Sequence, residues 1–169
     1  MSGGMAELRD SSIMIQLADQ AMLNMGLDAS EVWRRLGITP EILADRNIRT
    51  PHDAQVIFWS VMEEVTADSH IGLHLGEHMP VYKGQVLQYL FLSSSSFGEG
   101  LRRALNYQRL LSDASQASLT IEGERAYLLV ESSSDRVIGL RHLNECMVLA
   151  LIRFFRYVTF DQFAPAEIE

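Results

Sequence analysis

The chain has 169 residues, 47% hydrophobic and 21% charged, a balance typical of a single globular domain. A domain of this length buries roughly 70% of its unfolded surface, so the core requires neither disulfides nor a structural metal. The net charge of −8 argues against nucleic-acid binding by this chain alone, because phosphate binding requires concentrated lysine and arginine.

Signals for export and membrane insertion are also missing from the pattern. The longest apolar stretch, around Cys146–Phe155, is too short for a membrane span and contains Arg153. No apolar stretch follows Met1–Met5 that could serve as a signal peptide. We therefore expect a cytoplasmic protein with no membrane partner.

We predict that residues 1–11 form a flexible N-terminus. After them, the first two thirds of the chain carry apolar residues at helical spacing. Thr39-Pro40 and Thr50-Pro51 both have the form of a capping hydroxyl followed by proline at the first helical position. The pattern predicts helices at about 12–25, 28–36, 40–44, 51–66, 68–79, 84–92 and 96–111.

The period changes after Ser112. Alternating apolar residues predict a β-hairpin near 115–131, with the turn at Glu122–Glu124. The helical period then returns over about 138–158, the longest predicted helix, and Ala166–Glu169 resembles the first residues of a further strand. The predicted fold is therefore α+β: one predominantly helical domain over 12–169 with a small antiparallel sheet.

Two histidines have the spacing of a metal-binding motif. His74-Leu75-Gly76-Glu77-His78 has the H-x-x-E-H spacing of some zinc hydrolases. Gly76 and the nearby Pro80 leave barely one helical turn to hold the ligands, so we interpret both histidines as ordinary surface or half-buried residues. No metal or cofactor is expected, and no complete catalytic motif is present, so we predict that the chain is not an enzyme.

Two other features have simple structural interpretations. Ser93–Ser96 before Gly98 resembles an anion site, but Glu99 would repel an anion there, and an N-cap with an acidic first turn is the favoured interpretation. Cys146 lies in an apolar stretch, which favours a buried and inert thiol.

A polar trio on the long helix is the best candidate for ligand binding. Arg141 and Glu145 are four residues apart, and His142 and Glu145 three apart, so the three side chains share a face. The trio would suit a carboxylate ligand. It would equally suit an ion pair between Arg141 and Glu145 beside a half-buried histidine, and the sequence leaves both open.

Several segments in one order resemble a known family. Leu36–Asp45, Ile48–Pro51, Ile71–Glu77, Phe97–Ala114 and the Arg141-His142 with Glu145 pattern are similar to the N-terminal sensor domain of AraC-type bacterial transcription regulators. Ser95 and Gly100 stand where that family usually has proline and alanine, so the resemblance transfers no ligand preference.

The resemblance implies a regulatory domain that receives a small effector or self-associates, and thereby controls a DNA-binding domain. The family continues through further strands to a C-terminal helix-turn-helix domain, which these residues do not contain. We therefore expect DNA contact only through that missing domain, and a sensor domain cut before its last strands.

We place the effector site between the hairpin and the helices, lined by Tyr89, Tyr107, Arg141, His142 and Glu145. The expected effector is a small organic acid or an amphipathic metabolite. The long helix carries apolar residues around much of its circumference, which favours a homodimer interface that includes Leu151 and Phe155. A ligand-free dimerisation domain is the main alternative, and a haem sensor with His142 or His74 as axial ligand is a lesser one.

Overall fold

The computed structural model describes residues 7–81, 85–137 and 139–169. The order of elements confirms an α+β domain dominated by helices, with two small antiparallel sheets. In chain order they are β1 (Arg9–Ser11), α1 (Ile13–Asn24), α2 (Ser30–Arg35), α3 (Pro40–Ala44), β2 (Arg49–Pro51), α4 (Ala54–Thr66), α5 (Ile71–His78), α6 (Val86–Leu92), α7 (Phe97–Asn106), β3 (Ser115–Glu122), β4 (Arg125–Ser132) and α8 (Arg141–Val158).

Part of the segment 1–11, which the sequence predicts to be flexible, forms a short ribbon near the N-terminus. Arg9–Ser11 form β1 and pair with β2 in antiparallel register, with Asp10 opposite Thr50. Met1–Ala6 lie outside the described residues. Three-residue strands carry too little periodicity to be predicted from sequence.

The two Thr-Pro pairs have different structures. Thr39 caps α3 as predicted, because its hydroxyl accepts a hydrogen bond from the Ile42 N–H with Pro40 at the first helical position. The second prediction is wrong, since Thr50 and Pro51 lie in β2 and α4 begins after Asp53.

Helices α5 and α8 pack at close range through two glycines one turn apart. A Cβ on Gly72 would lie 2.4 Å from the His142 carbonyl oxygen, and one on Gly76 would lie 2.9 Å from that of Cys146. Arg153 secures the contact by donating to the carbonyl oxygens of Gly76 and Met79 at 3.1 and 2.7 Å, near the negative end of α5. The pairing fixes the first turns of α8 against the centre of the domain.

Two hydrophobic clusters lie along α8. The first joins α1, α2, α4 and α5 around the fully buried Met22, Met62 and Leu75. The second joins α6, α7 and the later turns of α8 around Phe91, Leu101 and Phe155. Helix α8 therefore connects the polar features near its N-terminus to an aromatic cluster near its C-terminus.

The hairpin β3–β4 confirms the predicted sheet. Ala117 opposes Val130 and Leu119 opposes Leu128, and these inward residues are half-buried while their neighbours along each strand are exposed. The Gln108 amide holds the hairpin by donating to the Ala117 carbonyl at 3.1 Å.

The last four residues differ from the sequence prediction. Ala166–Glu169 form no strand, contrary to the sequence expectation, and in the described part of the chain no strand pairs with them. Among the described residues, no helix combines the length and the apolar character that a membrane crossing would require.

Candidate functional site

The polar trio assembles where α8 starts against α4 and α5, and we call this region the helix junction. Arg141 Nε donates to Glu145 Oε1 at 2.6 Å, and Arg141 Nη2 donates to His70 Nδ1 at 3.0 Å. His142 Nε2 lies 3.3 Å from Glu63 Oε2. The ion pair that the sequence left as an alternative to ligand binding is therefore formed in this state.

Among the described residues, three buried polar atoms at the helix junction have no hydrogen-bond partner: Trp59 Nε1, His142 Nδ1 and Glu145 Oε2. The Trp59 and His142 rings are 6.1 Å apart between centroids, and His142 Nδ1 is 3.6 Å from Glu145 Oε2, beyond good hydrogen-bond distance. Buried polar groups are usually paired, so this concentration marks a place where a water or ligand atom would be stabilised.

The two tyrosines predicted to join this site do not lie with the trio. Tyr89 is on α6 and Tyr107 ends α7, and their exposed fractions are 58% and 52%. Helices α6 and α7 pack with the aromatic cluster around Phe155. With a rise of 1.5 Å per residue, Phe155 lies roughly 15 Å along α8 from Glu145. The helices that carry the two tyrosines, like the hairpin, therefore pack with the cluster at the far end of α8.

The two residues predicted to form a dimer interface both contact the aromatic cluster of the protomer, Phe155 as a buried residue and Leu151 as a half-buried one. Phe155 is 6% exposed and packs edge to face against Phe97 at 5.1 Å between ring centroids. Leu151 packs against the same cluster. Phe155 is therefore a core residue, and a self-association face on α8 would have to use other apolar residues.

The histidines of the H-x-x-E-H pattern make hydrogen bonds within the protein. His74 pairs with Asp68, whose hydrogen bond raises the His74 pKa, and His78 Nδ1 hydrogen-bonds the His74 carbonyl oxygen. Across the described ranges, no three His, Cys, Asp or Glu side chains come together as metal ligands.

The serine run before α7 also follows its simpler interpretation. Ser96 caps the helix by accepting from the Glu99 N–H, while Glu99 Oε2 accepts from the backbone N–H and hydroxyl of Ser95. The Glu99 carboxylate thus occupies the position that an external anion would need.

A buried polar network that the sequence did not reveal joins three distant segments. His52 Nδ1 is 2.9 Å from Asp10 Oδ1, and His52 Nε2 is 3.1 Å from Ser132 Oγ. Burial tends to raise the pKa of Asp10, but hydrogen bonds from His52, Ser112 and Gln55 and the charge attraction of His52 hold it below its ordinary value. The carboxylate is therefore ionised and holds β1 to the start of α4.

The hydrogen-bonded chain from Asp10 through His52 to Ser132 has the residue types of a catalytic triad with a serine nucleophile. Its surroundings favour a structural role. An acyl-transfer site needs free backbone N–H groups beside the serine to bind the developing oxyanion. The Ser133 N–H donates to Ala114 O at 2.9 Å, and the Ser134 N–H donates to Ser132 Oγ at 3.2 Å. Both neighbouring donors are thus already used.

A groove between α1 and the α2–α3 connection has a volume of about 640 Å³. Its walls are mainly apolar and include Leu23, Trp33 and Ile38. Trp33 Nε1 donates to Asp19 Oδ1 at 2.6 Å at the wall of the groove. The sequence gave no sign of this groove, because its residues come from three separate short helices.

Cys146 is buried, as the sequence predicts. It is 3% exposed, and burial raises its pKa to about 12. The thiolate that redox chemistry requires is therefore scarce at neutral pH.

An α+β domain with a groove and a polar helix junction has the character of a binding domain. Residues 26–169 match the family described as the arabinose-binding domain of AraC transcription regulator, N-terminal. That match spans most of the chain, so the protein belongs to this family of ligand-sensing regulatory domains. A search of curated proteins finds no match.

Proposed function

We propose that this chain is the sensing part of a cytoplasmic transcription regulator. It binds a small organic effector and, as a homodimer, controls an attached DNA-binding domain that reads the promoter. The observation that carries the proposal is the family match over residues 26–169. The net charge of −8 agrees with it, since contact with DNA is then left to another domain.

We propose the helix junction as the effector site, with Arg141, His142 and Glu145 as contacts. Arg141 is reachable, since its side chain is 58% exposed. A carboxylate effector competes with Glu145 for the guanidinium, because both offer the same charged acceptor. Tyr89 and Tyr107 are not included, because they lie with the other end of α8.

Displacement of Glu145 gives the site a means of passing on the signal. Among the described residues, Glu145 Oε2 has no hydrogen-bond partner, and His142 Nδ1 lies 3.6 Å from it, so a released carboxylate has a nearby alternative partner. A change of partner from Arg141 to His142 would shift the first turn of α8, which packs on α5 at Gly72. An effector regulates only by favouring one such arrangement over another.

Thermal unfolding in the presence of small organic acids tests this site. A bound effector at 100 times its dissociation constant adds about 2.7 kcal/mol to the free energy of unfolding. We expect Arg141→Ala to lose that gain while remaining folded. Arg103→Ala is the matched control, because Arg103 forms the same i,i+4 pair with Glu99 on an exposed helix face. An equal gain in the parent and Arg141→Ala would exclude Arg141 from the site.

We propose that self-association uses α8 through Val148 and Ile152 rather than Phe155. These two residues are one turn apart and half-buried, and in the described part of the chain neither is packed into either hydrophobic cluster. They supply apolar surface that the protomer itself does not fully cover. Light scattering of the parent and of Ile152→Glu measures the oligomeric state.

A further inference from the structure

The groove between α1 and the α2–α3 connection contains the carboxylate of Asp19, and no cation from the described residues pairs with it. Among the described residues, Trp33 Nε1 is the one hydrogen-bond donor to Asp19, and it bonds Oδ1. The other carboxylate oxygen and the negative charge are therefore available to a ligand.

Arg34 lines the groove but pairs with Glu31 and does not neutralise Asp19. Arg34 donates to both oxygens of Glu31, at 2.8 and 2.7 Å. Asp28 adds a second carboxylate to the lining, although one of its oxygens accepts from the Ser30 N–H. The charge facing the groove is thus net negative.

The remaining walls are apolar and held in place by the core. Trp33 is 6% exposed and stacks on Phe58, while Gln16 donates to the Leu43 carbonyl and thereby fixes α3 against α1. Leu23 is 56% exposed at the mouth of the groove. A cavity of about 640 Å³ falls within the size range of pockets that hold small molecules.

We propose that this groove is a second ligand site, distinct from the helix junction, and that it takes a small organic amine. The ammonium group pairs with Asp19, and the alkyl or aryl body lies on Leu23, Trp33 and Ile38. An unpaired carboxylate beside apolar walls favours a cation that carries apolar surface, and it disfavours an anion of the same shape.

The test compares three probes of similar shape and different charge: 2-phenylethylamine, 2-phenylethanol and 3-phenylpropionate. The readout is the two indole N–H signals of Trp33 and Trp59 in NMR spectra, assigned with Trp33→Phe and Trp59→Phe. We expect the amine to shift the Trp33 signal saturably, because Trp33 Nε1 bonds the carboxylate that the amine approaches. The Trp59 signal lies at the helix junction and serves as the internal control.

Asp19→Asn keeps an oxygen for Trp33 and removes the charge, so we expect amine affinity to fall about tenfold or more. Glu124→Gln, in the exposed hairpin turn, removes one charge far along the chain from the groove and should bind the amine as the parent does. Thermal unfolding of each variant checks that it is folded. Leu23→Ser, an exposed position, should also weaken binding if the apolar body lies in the groove.

Three results would overturn the proposal. One is the absence of a saturable Trp33 shift with the amine at millimolar concentration. Another is equal binding of the amine and the alcohol, or tighter binding of the acid. The third is unchanged amine affinity in a folded Asp19→Asn variant. A failure of the amine at Trp33 leaves the helix junction unaffected, because an effector there is detected at Trp59 and Arg141.

Discussion

Gly72 on α5 lies directly against the backbone of His142 on α8, so closely that a Cβ would come within 2.4 Å of the His142 carbonyl oxygen. No side chain fits there unless the helices separate. We expect Gly72→Ala to lower the free energy of unfolding by roughly 1–3 kcal/mol, because overpacking forces the backbone to shift. Urea unfolding measures the change.

Gly98→Ala is the matched control for this effect. Gly98 also lies in a helix, but a Cβ there would be 3.6 Å from the nearest atom, the flexible end of Arg102. Alanine should be neutral or stabilise the protein by up to about 1 kcal/mol, because it has the higher helix propensity. Equal stability of Gly72→Ala and the parent would contradict the close packing of α5 on α8.

The reactivity of Cys146 gives a second test of the same contact. The buried thiol, with its pKa raised to about 12, should react very slowly with a disulfide reagent in the native protein and rapidly in urea. Gly76 touches the Cys146 backbone, so Gly76→Ala should increase the labelling rate. Rapid labelling of the native parent protein would show that α5 and α8 separate readily.

Long periodic segments made much of the fold predictable from sequence. The hairpin and the long helix were predicted because their periods of two and 3.6 extend over many residues. The β1–β2 ribbon was missed because its strands have three residues each. Thr50-Pro51 shows the related limit, since a local cap pattern is overridden by pairing with a segment forty residues away.

The candidate sites were predictable only where they are local. Arg141, His142 and Glu145 share one helical face, so their spacing was sufficient to group them. The prediction that Tyr89 joins them depends on an assumed position of the hairpin. In the structure Tyr89 lies on α6, which packs with the aromatic cluster. Asp10, His52 and Ser132, like Asp19 and Trp33, come together only through folding, and their sequence separation gives no signal.

The Asp10–His52 pair predicts how stability depends on pH. The Asp10 pKa is lower in the folded state than its ordinary value, so its contribution is complete above the unfolded pKa, about 3.9, and is lost as pH falls through the folded pKa. Asp10→Asn should lower the free energy of unfolding at pH 7 by roughly 1–3 kcal/mol. The difference between parent and variant should shrink below pH 4 in urea titrations.

Asp68→Asn provides the comparison, because Asp68 pairs with His74 at the surface instead of in the core. A solvent-exposed pair contributes less than about 1 kcal/mol, so this variant should differ little from the parent. If Asp10→Asn cost no more than Asp68→Asn, the buried network would not be a stabilising feature of the fold.

The acidic composition predicts the behaviour of this chain with DNA. With a net charge of −8, it should show no saturable, salt-sensitive binding to duplex promoter fragments at low salt. Titration of labelled duplex followed by fluorescence anisotropy is the measurement. Saturable binding at micromolar protein would contradict the assignment of DNA contact to an attached domain.

The last prediction separates the core role of Phe155 from a role of α8 in self-association. Phe155→Ala should lower the free energy of unfolding by about 3–5 kcal/mol, because it removes a buried ring from the cluster with Phe91 and Phe97. Phe160→Ala should change it little, because Phe160 is 89% exposed. Ile152→Glu should instead leave the fold intact and convert a dimer to a monomer, since it places a charge on half-buried surface outside both clusters. Light scattering at matched concentrations, with circular dichroism to check folding, distinguishes the two effects. A dimer that persists in a folded Ile152→Glu variant would remove this face of α8 as the interface.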